Sequence, residues 1–365
     1  MQNRCFLGLA ATGVLVLGWL EPALAQETIR QWQFASSNDG LALELVEVPM
    51  PVAGPNEVLV RVHANSLNRR DLLMLNNQYG PGGSSTGGIP LSDGAGEVIA
   101  VGPGVSRFAV GDRVAGIFFA DWIDGERDAA KLASARGGGA TGMLAEVVVA
   151  NEESLVEIPD HLTYEQAATL PCAGVTAWVV LFEQGHLQAG EYVLLEGTGG
   201  VSSLGLVFAA AAGARPIITS SSDEKLARAR ALGAFGTVNY RTNEDWQHEV
   251  RALTGDAGVD HVLEVGGRDT LEKALQALAY DAHIGLIGGL TGFAPAIPVG
   301  TLMNLGTQVS GVYVGSRAHF ENLVDFIEEH EIVPVVDRVF DFEDAPAAFD
   351  FMENGSFFGK IVIGR

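Results

Sequence analysis

The run Val193-Leu194-Leu195-Glu196 leads directly into Gly197-Thr198-Gly199-Gly200-Val201-Ser202, and a helix-compatible stretch, residues 203–212, follows at once. A strand, a glycine turn and a helix start in this order constrain the fold more than any other feature of the chain. Gly197 permits the tight turn, Gly199 lets a backbone approach a pyrophosphate, and the helix N-terminus offers unpaired N–H groups and partial positive charge to phosphates. Gly200 and Val201 complete the turn, and Ser202 replaces the third glycine of the usual pattern with a residue small enough for close helix packing. A ligand-free glycine turn is the plain alternative. Context favours the dinucleotide reading, because the turn sits in a block, residues 152–314, where apolar runs at 192–196, 216–220, 237–240, 261–265, 283–287 and 308–314 alternate with helical segments. That alternation predicts an α/β fold with a doubly wound parallel sheet.

Cofactor choice follows from the end of the second strand. NAD-specific sites place Asp or Glu there, about 20 residues past the glycines, to hold the ribose 2′-hydroxyl. This chain has Ser220-Ser221-Ser222-Asp223-Glu224-Lys225 instead. Serines at the strand end, Lys225 in the first helical turn and Arg241 after the third strand offer a 2′-phosphate donors and positive charge. NADPH is therefore expected over NADH. Asp223 and Glu224 read as helix cap and first-turn acid, pointing away from the ribose.

The 365 residues make two domains the better expectation. Residues 27–150 carry short β-rich runs between Gly/Pro punctuation, such as Ala53-Gly54-Pro55, Gly80-Pro81-Gly82-Gly83 and Gly102-Pro103-Gly104, which predicts a small irregular β-barrel. Residues 121–142 read as a surface lobe. Residues 151–315 form the dinucleotide domain, and residues 316–365 hold two helices, 320–330 and 345–352, and a closing strand, 360–363.

Residues 1–25 read as a signal peptide: Arg4, an apolar run at 6–20, then Ala23-Leu24-Ala25 before Gln26. The run is shorter than the roughly 20 residues of a spanning helix and is broken by Gly8, Gly13 and Gly18, so no stable membrane span is expected after its removal. The alternative is a start codon assigned too far upstream. The first reading places the protein outside the cytoplasm, in a periplasm without a standing NADPH pool, and the second places it in the cytoplasm; the mass of the N-terminus in fractionated cells decides between them. Twenty-two basic against 45 acidic residues give a net charge of −23 with no basic run, which argues against nucleic acid as a partner. The two cysteines, Cys5 and Cys172, build neither a disulfide framework nor a four-cysteine zinc site.

From Thr28 onward the chain resembles the medium-chain dehydrogenase/reductase superfamily in its zinc-independent, quinone-oxidoreductase-like branch. The matching stretches are Gly54-Pro55-Asn56-Glu57-Val58-Leu59-Val60, Asn68-Arg69-Arg70-Asp71, Gly94-Ala95-Gly96-Glu97-Val98, Val110-Gly111-Asp112-Arg113-Val114, Pro171-Cys172-Ala173-Gly174-Val175-Thr176-Ala177, the glycine turn, and Gly359-Lys360. The resemblance implies a GroES-like catalytic domain completed by residues 316–365, a Rossmann domain between, an active site in the cleft and a homodimer. It also implies cofactor contacts from Tyr240 and Arg241 to the adenosine phosphate, from Gly266 and Gly288 to the nicotinamide half, and from Gly359 and Lys360 closing from the tail. The zinc-ligand positions of the alcohol dehydrogenases fall on Asn68, Ser92 and Cys172, a set with one thiol that does not make a three-ligand zinc site. Asp71, Asp93 and His63 read as a site-side carboxylate, a neighbouring acid and a strand residue, so no metal is expected.

Chemistry without a metal favours acceptors that delocalise the incoming charge. A quinone or α,β-unsaturated carbonyl takes hydride at carbon and leaves an enolate or phenolate, which positioning and one or two donors can stabilise. By resemblance, Tyr79 donates to the substrate oxygen, Asn68 orients it, and Thr176 contacts the nicotinamide ribose. The plain alternatives are a packed loop aromatic for Tyr79 and a core hydroxyl for Thr176. Two other functions stay open: a metal-free alcohol or aldehyde oxidoreductase, and a non-catalytic NADPH-binding redox sensor.

Overall fold

A computed structural model of the chain describes residues 27–37, 40–79, 83, 85–293, 297–355 and 357–365. The leader and the Gly80-Pro81-Gly82 turn lie outside the described residues.

A hairpin of β1 (Thr28–Ser37) and β2 (Gly40–Pro49) opens the chain. The strands β3 (Glu57–Ser66), β4 (Asp93–Val101), β5 (Arg113–Gly116), β6 (Val147–Asn151) and β7 (Leu155–Glu157) follow. The middle of the chain supplies β8 (Tyr192–Leu195), β9 (Arg215–Ser220), β10 (Gly236–Asn239), β11 (Val259–Glu264), β12 (Leu278–Leu286) and β13 (Gln308–Gly311). The tail adds β14 (Val336–Asp341) and β15 (Lys360–Gly364).

These strands form two large sheets. The first runs β14-β15-β3-β4-β5-β7 with β6 on β3, so the tail pairs into the N-terminal sheet, Val362 opposite Ser66. Trp32 fastens the hairpin to this assembly through its indole N–H, which donates to the Phe342 carbonyl at 2.9 Å. The second sheet is parallel throughout, in the order β10-β9-β8-β11-β12-β13. Its chain order reverses between β8 and β11, the place where open α/β sheets bind ligands. Both faces are covered, as parallel sheets require. Leu194, Ile217 and Val262 pack one face against Trp246 and Leu271, while Val193, Leu195 and Ile218 pack the other against Leu204 and Phe208.

Two expectations need correction. Residues 121–142 are not wholly a surface lobe, because Arg136 is buried there, with Nε donating to the Ile117 carbonyl at 3.1 Å and Nη2 to Ser154 Oγ at 2.7 Å. Burial lowers its pKa to about 10, and the acceptors around it compensate the lost hydration. The tail holds a strand, β14, that the apolar pattern did not mark; its helices run Arg317–Glu329 and Ala345–Glu353. No described helix is long and apolar enough to cross a membrane.

Candidate active site

The glycine turn has the open backbone and uncapped helix start that a phosphate cradle requires. Gly197 has φ +70°, open to glycine without strain, and its N–H donates to Thr219 Oγ1 at 3.1 Å. A Cβ added at Gly199 would meet nothing within 4 Å, so the face where a pyrophosphate would approach is clear. The Gly200–Ala211 helix that follows has no side-chain cap, leaving its first N–H groups to a ligand. Ser202 is buried and its hydroxyl donates to the Glu196 carbonyl at 2.7 Å. Close helix–sheet contact occurs at Gly205 instead, where a Cβ would sit 2.8 Å from Leu263 Cδ2. Sequence pattern alone missed that residue because it lies outside the usual glycine spacing.

At the neighbouring strand ends, Ser220 and Tyr240 are joined by a backbone bond from Tyr240 N–H to the Ser220 carbonyl at 3.1 Å. Arg241 is exposed beside them. Ser222 caps the Asp223–Ala231 helix by accepting from the Lys225 N–H, and Asp223 accepts from Asn239 Nδ2 at 2.7 Å. Lys225 reaches the Gly355 carbonyl at 3.4 Å, and desolvation lowers its pKa. Ser221 lies between these groups, half-buried. Gly359, at φ +89°, donates its N–H to the Thr198 carbonyl at 2.9 Å, tying the tail to the glycine turn. Gly266 lies at a bend after β11, and Gly288, after β12, packs so close to Val265 that an added Cβ would lie 3.0 Å from its carbonyl oxygen.

Lys360 turns the other way. Its stem crosses the Gly200–Ala211 helix so closely that a Cβ on Gly200 would lie 2.4 Å from Lys360 Cδ. Its ammonium donates to the Leu67 carbonyl and to Asn68 Oδ1, each at 2.6 Å, and lies 3.8 Å from Asp93 Oδ2. Asn68 Nδ2 donates to the same Asp93 oxygen at 2.9 Å, and Asn68 N–H donates to Asp71 Oδ2 at 2.7 Å, closing a capping box on the Arg69–Leu75 helix. One amide is thus held at its backbone by Asp71 and at its side chain by Lys360 and Asp93. Burial raises the Asp71 carboxyl to about 6 and pushes Asp93 upward as well.

The Tyr79 hydroxyl is hydrogen-bonded to the hydroxyl of Tyr313, just beyond β13. The Arg70 guanidinium stacks between the Tyr79 ring, 4.9 Å away, and the Phe118 ring, 4.6 Å away. Its Nη1 donates to the Arg136 carbonyl at 2.8 Å, while among the described residues Nε and Nη2 have no hydrogen-bond partner. Burial, then the Tyr79 hydroxyl, push Tyr313 above its ordinary pKa, so it stays protonated. Arg70 and Tyr313 were not singled out from sequence; their contacts span distant parts of the chain. Thr176 donates its hydroxyl to the Cys172 carbonyl at 2.7 Å, one turn back in a helical stretch widened to π geometry at Leu170–Gly174. His63 is a β3 residue stacked on Tyr164.

Two families match the chain: "Alcohol dehydrogenase GroES-like domain" over residues 54–160 and "Zinc-binding dehydrogenase" over residues 200–329. A zinc-type alcohol dehydrogenase-like protein of Schizosaccharomyces pombe is 40% identical over 334 residues, covering 90% of this chain and 96% of the relative. A quinone oxidoreductase of Pseudomonas aeruginosa is 33% identical over 291 residues, covering 78% and 82%. A crystal structure of a Sinorhizobium meliloti 1021 protein described as a candidate alcohol dehydrogenase superposes with a TM-score of 0.88 at 42% identity, covering 94% of this chain and all of that one. The zinc in the family description does not fit the donors here. Asn68 and Ser92 are neutral, the Lys360 ammonium occupies Asn68 Oδ1, and burial, reinforced by Asp93, pushes the Cys172 thiol away from the thiolate a metal needs. Among the described residues no group of three His, Cys, Asp or Glu side chains could hold a metal ion. With both domain families matched in order and close relatives along nearly its whole length, the chain belongs to the medium-chain dehydrogenase/reductase superfamily and is an oxidoreductase of that family.

Proposed function

We propose that the chain is an NADPH-dependent oxidoreductase that works without a metal and transfers hydride to a quinone or α,β-unsaturated carbonyl. The observation that carries this reading is the Tyr79–Tyr313 hydroxyl pair together with the Arg70 guanidinium stacked on the Tyr79 ring. When bound, the reduced nicotinamide supplies the hydride. Gly197, Gly199, Gly200, Val201 and Ser202 receive the pyrophosphate, and Ser220, Ser221, Lys225, Tyr240 and Arg241 receive the adenosine phosphate. Gly266, Gly288, Gly359 and Thr176 surround the nicotinamide half. Tyr313, held protonated, donates to Tyr79, whose own hydroxyl donates to the substrate oxygen as charge grows there. Arg70 supplies positive potential behind that oxygen, and Lys360 with Asp93 fixes the Asn68 amide beside it.

Steady-state NADPH oxidation with quinones, enones and aldehydes tests the proposal. Turnover on quinones or enones is expected; turnover on aldehydes alone would favour the alcohol-type reading, and tight NADPH binding without turnover on any acceptor would overturn the reductase. Ser220→Asp places a carboxylate where the 2′-phosphate is received, and is expected to shift the NADPH-over-NADH preference toward NADH by about tenfold or more, read from the two Kd values.

We also propose a homodimer joined through the open edge of the parallel sheet. Among the described residues strand β13 has an unpaired side, and the adjacent Val299–Leu305 helix buries none of its residues. Phe293 (81% exposed), Met303 (78%) and Val299 (63%) are large apolar side chains left exposed beside that edge, and an open edge with exposed apolar groups is a ready surface for pairing. Val299→Asp with Met303→Asp is expected to convert a dimer to a monomer in light scattering without unfolding it.

A further inference from the structure

Glu196 and Glu264 stand at the carboxyl ends of the two central strands, side by side at the switch point, and no role assigned above uses their side chains. They are 4% and 0% exposed. Leu195 and Leu263 are register partners in β8 and β11, so the two glutamates that follow them are neighbours, with their carboxyls close enough to interact. Each also grips the turn after β11. Glu196 Oε2 accepts the N–H groups of Val265 and Gly266, both at 3.2 Å. Glu264 Oε1 accepts the Gly267 N–H and the Thr270 hydroxyl, both at 2.7 Å. The remaining oxygens, Glu196 Oε1 and Glu264 Oε2, are enclosed and have no other partner among the described residues.

Among the described residues no cation compensates this pair. The Gly200–Ala211 helix carries no ionisable residue, and neither do residues 286–289 after β12. On the turn itself Arg268 and Asp269 are exposed, with Arg268 donating to the Thr291 carbonyl. In the next helix Glu272 is exposed, and Lys273 donates to the Glu244 carbonyl. Lys360, which crosses the glycine turn, is committed to Leu67 and Asn68. Burial and the facing Glu264 carboxyl hold the Glu196 carboxyl well above the usual carboxylate range. Two facing carboxylates in such surroundings do not both ionise; one proton between them satisfies both enclosed oxygens.

We infer that Glu196 and Glu264 share a single proton, and that this proton positions the 265–267 turn which brings Gly266 to the dinucleotide. The inference rests on the dinucleotide site proposed above. Loss of the proton to solvent leaves two like charges at the floor of that site, pushes the strand ends apart and slackens the backbone bonds that each carboxyl makes. Dinucleotide affinity then falls as pH rises through the titration of the pair. Glu196→Gln removes the titration yet keeps the geometry, since the amide oxygen accepts from Val265 and Gly266 while the amide N–H donates to Glu264.

The test is binding of NADH and of NADPH to the full chain by fluorescence quenching, from about pH 6 to about pH 10. NADH is included because it has no 2′-phosphate to report on Lys225. Wild-type affinity is expected to weaken by up to about tenfold per pH unit above the midpoint of the pair, the slope of a one-proton linkage. The Glu196→Gln protein is expected to show a shallower profile, and Glu196→Ala weak binding throughout. Glu264→Gln provides a second shallow profile should the first variant not fold. Parallel profiles for wild type and the Gln variants, or a flat wild-type profile, overturn the shared proton. Absence of dinucleotide binding at every pH instead overturns the cofactor reading on which it rests.

Discussion

Replacing Tyr79 with Phe is expected to lower kcat on a quinone or enone by about 100–1000-fold, the cost of removing one donor to a developing oxyanion, while NADPH affinity changes little. The variant keeps the aromatic ring over the Arg70 guanidinium, so the 4.9 Å cation–π contact and the packing beneath it survive. Only the hydroxyl, its bond to Tyr313 and its bond to the substrate are lost. A packing role for Tyr79 therefore predicts nearly normal turnover in the Phe variant, and a donor role predicts the large loss. Tyr313→Phe discriminates further. It leaves the Tyr79 hydroxyl in place but removes the donor that orients it, so a smaller fall of about tenfold is expected. Single-turnover NADPH oxidation, measured beside NADPH Kd, separates chemistry from binding in both variants. Normal rates in the Tyr79→Phe protein would remove the hydroxyl pair from the mechanism.

The parts of this site that were legible from sequence are those made by adjacent residues. The glycine turn is one covalent segment, and its function follows from local backbone freedom at Gly197 and the helix start at Gly200. The parallel sheet was legible because its central strands are short apolar runs, buried along most of their length and alternating with helical segments, a pattern that needs no long-range information. The cluster around Asn68 and Tyr79 is different in kind. Lys360 meets Asn68 across 292 residues, and Tyr79 meets Tyr313 across 234. A lone lysine after a glycine has the same local pattern whether it faces cofactor, solvent or a buried carboxylate. Only the antiparallel pairing of β15 with β3, Val362 opposite Ser66, brings its ammonium to Leu67 and Asn68, just past the end of β3. The carboxyl pair escaped notice for a related reason. Glu196 and Glu264 each look like a strand-end acid; they become a pair because β8 and β11 are neighbours in the sheet although far apart in the chain.

Lys360→Met is expected to destabilise the protein by about 3–5 kcal/mol, the range found when one member of a buried charged pair is removed. The methionine fills most of the lysine stem's volume where it crosses Gly200, so the loss is chiefly electrostatic. Two charge-assisted hydrogen bonds disappear, at Leu67 and Asn68, and Asp93 is left fully buried without its cation. The pH dependence identifies the cause. Burial already pushes the Asp93 carboxyl upward, and the Lys360 charge is the first influence opposing that rise. Without Lys360 the folded-state pKa of Asp93 rises further above its unfolded value. A carboxyl raised in this way contributes stability below its unfolded pKa and loses that contribution as pH climbs through its folded pKa. The defect should therefore be smaller at about pH 5 than at about pH 8, measured by urea unfolding of both proteins at each pH. Asp93→Asn added to Lys360→Met should recover part of the loss at the higher pH, because a neutral amide can still accept and donate within the network. A defect equal at both pH values, with no recovery in the double variant, would mean that Lys360 acts through packing of its stem and not through its charge.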